Sequence, residues 1–80
     1  MGSTLAPLQL DVRDDLRAGR EPFGRIQEAF SGLQPGQAFV LYATFEPVPL
    51  VRLMASRGYT AAVRALDGGD FAVRFESKGS

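Results

Sequence analysis

Cysteine and histidine are both absent from the 80-residue chain. Lysine occurs once, as Lys78. Without cysteine there are no disulfides, thiol nucleophiles or thiolate metal sites. Without histidine there are no imidazole bases or imidazole metal ligands. Acid–base chemistry is left to nine carboxylates, two tyrosines and Lys78. No charge sign dominates either, since nine basic residues offset nine acidic ones. A balanced chain lacks the basic field that offsets phosphate charge, which argues against a nucleic-acid partner. It argues equally against docking to anionic membranes. No apolar run approaches the ~18 residues that a membrane span needs. The N-terminus shows no basic segment followed by an apolar one, so no signal peptide is expected and the cytoplasm is the expected compartment. Neither a cofactor nor a metal is expected.

What is present fits one domain, expected over residues 7–76, with flexible tails over 1–6 and 77–80. Leu8, Leu10 and Val12 alternate with Gln9, Asp11 and Arg13. That period of two predicts a strand with one apolar face. The charged run Asp14 to Arg20 contains Gly19 and is expected to be a loop. A helix is predicted over Pro22–Gly32, with Phe23, Ile26, Phe30 and Leu33 on one stripe. Pro22 suits its first position, where a backbone N–H would be unpaired anyway. Ala38–Ala43 reads as a strand in the middle of a sheet.

A second helix is predicted over Glu46–Gly58, burying Leu50, Leu53 and Met54, with Gly58 as its left-handed cap. Tyr59–Leu66 and Phe71–Phe75 read as two strands of a hairpin around Asp67-Gly68-Gly69. The order is β-α-β-α-β-β. Two helices with one apolar stripe each cover one sheet face. The expected fold class is therefore α+β, a two-layer sandwich with a mixed four-stranded sheet. Both helices follow strands, so both helix N-termini are expected at the same end of the sheet.

Glu-Pro at the first helix and the "QPGQ" turn before the second strand carry a resemblance to the TusA-like (SirA-like) superfamily, over about Leu8 to Phe75. The sulfur-carrier branch of that superfamily has a Cys-Pro-x-Pro motif at this helix start. Aligned on Pro22, the carrier cysteine falls on Gly19 and the motif's first proline on Arg20. The resemblance thus implies a carrier scaffold without its nucleophile. A branch of unknown function, found alone or fused to hemerythrin-like domains, is closer. Its "LDVR" stands at Leu10–Arg13 and its "EPF..I" at Glu21–Ile26. Its "HDP.PL" becomes "FEPVPL", so Phe45 replaces a histidine.

The candidate site residues are Gly19, Arg20, Glu21, Pro22, Phe45 and Glu46. Glu21 and Glu46 are either a coupled carboxylate pair, able to supply an acid or base, or two acids that each favour a helix dipole. Gly19 and Arg20 either open a helix N-terminus to an anion or form a charged loop. Phe45 either lines a shallow pocket or packs under the second helix as a staple. Asp14 and Asp15 read as solvated charge.

The open sheet face is expected to carry Gln9, Asp11, Arg13, Thr60, Arg64 and Arg74. The central strand adds either Val40 and Tyr42 or Phe39 and Leu41. Arg64 and Arg74 are candidates to oppose each other across the hairpin, where like charges destabilise.

The leading functional expectation is a non-enzymatic binding or accessory module that docks to a protein partner, with a redox or metalloprotein as one kind of partner. A homodimer through the open face or an edge strand is the alternative association. One rival is a small-ligand or anion-binding protein or enzyme using Glu21, Glu46 and Arg20. Another is an RNA-binding module.

Overall fold

Residues 5–77 are described by the structure, a computed structural model. Of the expected tails, 1–6 and 77–80, residues 1–4 and 78–80 lie outside the described residues. Four strands form one mixed sheet: β1 (Leu8–Asp11), β2 (Phe39–Ala43), β3 (Tyr59–Ala65) and β4 (Phe71–Ser77). The sheet order is β1-β2-β4-β3. β1 runs parallel to β2, and β4 is antiparallel to both β2 and β3. It follows that β3 is parallel to β2. The crossovers carry the two long helices, α2 (Phe23–Ser31) and α3 (Val48–Ser56). This is the expected α+β sandwich with the expected β-α-β-α-β-β order, apart from one added element.

The added element is α1, a short helix over Arg13–Arg17, where a loop was expected. Its charges hid it. Leu16 is its one large apolar residue, too few for a visible stripe, and it packs against the core. Gly19 ends the segment at a φ of 78°, and its N–H donates to the Leu16 carbonyl at 3.1 Å. A glycine takes that left-handed conformation without steric cost. At the other end, the sheet runs further than expected. Ser77 pairs with Tyr59 at the end of β4, and the Ala6 carbonyl accepts a hydrogen bond from Gln37.

Alternation decides which side of each strand is covered. Phe39, Leu41, Val73 and Phe75 are at most 1% exposed and face the helices. Phe30 stands edge-on to Phe39, Phe75 and Tyr59, with centroids 4.6 to 5.3 Å apart. Such aromatic pairs add roughly 0.5–1.5 kcal/mol each beyond their area burial. α2 contributes Ile26 and Ala29, and α3 contributes Leu50, Leu53 and Met54.

The opposite face therefore takes Val40 and Tyr42, which settles the alternative left open by the sequence. It is a polar surface. Tyr42 donates to Gln9 at 3.1 Å, and the Arg13 guanidinium lies 5.5 Å from the Tyr42 ring centroid. Arg64 and Arg74 do not oppose each other. Arg64 pairs with Ala72 and Arg74 with Ala62, and Arg74 binds Glu76 at 2.9 Å. The register spares the sheet a like-charge pair.

Candidate functional site

β1 ends at Asp11, and the next side chain, Val12, is buried. The chain then turns around a charge cluster. Arg13 donates from its backbone to Asp11 at 3.0 Å, and its guanidinium reaches Asp11 at 2.7 Å and Asp70 at 3.0 Å. Arg17 also reaches Asp70, at 3.2 Å. This ties the exit of β1 to the entry of β4. Hydrogen bonds from Arg13 hold the Asp11 carboxyl below its usual range. The hydrogen bonds that Arg13 donates to Asp11 and Asp70 raise its guanidinium in turn.

A second cluster follows. The Asp15 side chain is only 13% exposed and accepts from Arg20 at 3.0 Å and from Arg25 of α2. Those hydrogen bonds, Arg20's first, hold its carboxyl below the usual range. The expectation that Asp15 is solvated charge is thereby corrected. Its partners lie five and ten positions downstream, a spacing that no local pattern marks. Asp14 is exposed as expected, in a weak pair with Arg17 at 3.7 Å.

Glu21 stands just before α2, and its carboxylate accepts the Phe23 backbone N–H. That satisfies one of the N–H groups a helix start leaves open. Glu21 acts as a helix-start acid. Pro22 occupies the N-cap position of α2 and is buried. Pro47 occupies the same position at α3 and is also buried.

Between these two helix starts lies a groove of about 570 Å³. Gly19, Arg20, Glu21, Pro22 and Phe45 all line it. Five of the six residues singled out in the sequence thus meet on one wall system. Glu46 is exposed and lies off the groove. Phe45 is 52% exposed. It opens onto the groove and is not the buried staple that was one of its two readings. The floor comes from Val12, Leu41 and Ala43, and the far wall from Pro47, Pro49 and Leu50. Sequence reasoning put Leu50 on a buried stripe and set none of these residues in a groove. The available signal was the crowding of proline and phenylalanine at both helix starts. Among the described residues no group of three or more acids is placed to hold a metal ion. Nor is any helix there long and apolar enough to cross a membrane.

A fold with both crossover helices on one face, and an apolar groove between their starts, defines a small α/β-sandwich domain with a preformed concave surface. The chain belongs to the family described as "Uncharacterized conserved protein (DUF2249)", whose model matches residues 9–77. No curated protein matches the chain, and no solved structure does.

Proposed function

We propose that this chain is a non-enzymatic binding module, a TusA-like scaffold that has lost the carrier thiol and docks a partner protein through the groove at its helix starts. One observation carries the reading. The position aligned with the carrier cysteine, Gly19, opens onto an apolar groove whose nearby charged groups are already engaged. Arg20 is held by Asp15, and Glu21 by the start of α2. The groove offers surface for association, rimmed by Phe45 and by Phe23, itself 39% exposed. Residues of this kind anchor interfaces when buried by a partner. The polar open face, with Arg13, Gln9 and Arg74 each paired within it, offers less. A cytoplasmic setting and a redox or metalloprotein partner remain part of the proposal.

The test is site-directed photo-crosslinking in the native host, with the photoreactive residue at Phe45 in one strain and at Val40 in another. The reading expects a defined protein adduct from Phe45 and none from Val40. The reverse result would move the interface to the open face and overturn it.

The rival use of Arg20, Glu21 and Glu46 for a small ligand draws on the first two lining the groove. Substituting glutamine at Glu21 and Glu46 separates the two readings. Unchanged partner capture fits the docking module, whereas loss of a specific small ligand fits the rival.

A further inference from the structure

The groove does not end at the helix starts. Phe23 and Ile26 of α2, with Leu50 and Leu53 of α3, also line a second hollow of about 390 Å³. That hollow runs on between the helices to Arg57 and Tyr59. The two volumes form one trench along the helix layer. Its walls are helices of nine residues each, about 13 Å long at 1.5 Å per residue.

Both walls point the same way, because each helix crosses between parallel strands. The positive ends of both dipoles lie at the Pro22 and Pro47 end, and the negative ends at the Arg57 end. Among the described residues Arg52, Arg57 and Arg64 have no side-chain hydrogen bond or ion pair, and of these three Arg57 lines the hollow. A free cation therefore closes one end of a trench that is lined mainly by apolar residues, with Gln27 and Ser31 in the hollow and Arg20 and Glu21 in the groove.

We propose, resting on the docking reading above, that the trench takes an amphipathic α-helix of the partner protein, laid antiparallel to α2 and α3. Such a helix spans about three turns and presents apolar side chains at i, i+3 or i+4, and i+7. Antiparallel placement sets its negative C-terminus beside the two positive helix starts. Its first turn then lies by Arg57. An acid there serves the partner helix's own dipole and pairs with Arg57 at once. The reverse orientation places like ends together and leaves Arg57 without an anion. An extended strand would find no open main-chain edge in a trench walled by helices. A bare acyl chain would fill the apolar part without using the sequence of ridges that both helices offer.

The probe is a stapled helical peptide of about 12 residues, with leucines at the stated spacing and either glutamate or lysine in its first turn. It is titrated into the full chain and followed by fluorescence anisotropy. The glutamate peptide is expected to bind roughly tenfold more tightly than the lysine peptide. The gap is expected to close in Arg57→Gln. Phe45→Ser, a change at an exposed position, is expected to weaken both peptides. Equal affinities, or a gap that survives Arg57→Gln, would overturn the proposal. Preferential binding of oleate over both peptides would overturn it in favour of an acyl ligand. If neither peptide binds while Phe45 still crosslinks to a host protein, the helix proposal falls and the docking reading stands. If the crosslink is absent too, both fall.

Discussion

Pro22 and Pro47, each buried at the N-cap of its own helix, line the same groove. A helix start normally presents free N–H groups and attracts anions. Here the rings at Pro22, Pro47 and Pro49 remove three of those donors, since proline has no backbone N–H. The Phe23 N–H is taken by Glu21. The positive helix ends remain, but few hydrogen bonds are left to hold a small anion. The groove is apolar because its helix starts are built from proline.

Inorganic phosphate should therefore bind poorly. Titrated into labelled protein, it is expected to give no saturable amide shift over Gly19–Phe23 or Glu46–Leu50. A saturable shift there would bring the small-anion reading forward. It would also mean that Arg20 leaves Asp15 to meet the ligand.

Phe45 and Phe39 should separate binding from folding. Phe45 is 52% exposed, whereas Phe39 is fully buried. Phe45→Ser is expected to shift stability by no more than about 0.5 kcal/mol and to abolish the Phe45-side partner contact. Phe39→Ala removes a ring packed on Phe30 and near Phe75, and such truncations cost about 3–5 kcal/mol. In a domain of this size that is a large share of the total. Urea unfolding of both variants decides it. A large loss from Phe45→Ser would show that the residue supports the fold.

The fold was legible because its signals are periodic. Leu8, Leu10 and Val12 mark one strand face, and Ile26 and Phe30 mark the covered helix stripe, whereas Phe23, predicted on that stripe, stays 39% exposed at the groove rim. The shared position of Pro22 and Pro47 followed from connectivity alone. What escaped was carried by pairs distant in sequence. Arg13 meets Asp70 across the sheet, and Asp15 meets Arg25 across a turn. Nothing in the spacing of these charges announces the partner. The groove escaped for a different reason. Leu50 and Leu53 look like ordinary core residues, and the separation of the two helices leaves them only partly covered.

Asp15 should give the groove wall an acid sensitivity. Its carboxyl is held below the usual range, first by Arg20 and then by Arg25. A depressed carboxylate stabilises the fold fully above its unfolded value, about 3.9. That contribution disappears as the pH falls through the lower folded value. The stability gap between the native chain and Asp15→Asn is therefore expected to be constant from neutrality down to about pH 5. It should shrink progressively below that. Asp11 is depressed in the same direction by Arg13, so the variant keeps part of the acid slope. Urea midpoints measured from pH 7 to about 2 test this. A gap that widened in acid would reverse the assigned sign.

Gly19→Cys tests the proposed likeness to a carrier scaffold. A Cβ built at Gly19 meets nothing within 4 Å, so a side chain has room. The φ of 78° is the obstacle, since an L-residue in left-handed backbone loses about 1–2 kcal/mol. The variant is expected to fold with a loss of that size, visible as a lower urea midpoint. Its thiol would sit at the groove mouth. The neighbours that would have to stabilise a thiolate are committed elsewhere, Arg20 to Asp15 and the Phe23 N–H to Glu21. The thiol is therefore expected to titrate near the ordinary value of about 8.5 when its reaction with a disulfide reagent is followed against pH. A midpoint well under neutrality would mean that the helix start can activate sulfur, as the proposed carrier likeness allows. A midpoint near the ordinary value would mean that Asp15 and Glu21 occupy the groups that could stabilise a thiolate, so that a thiol at this position is not activated.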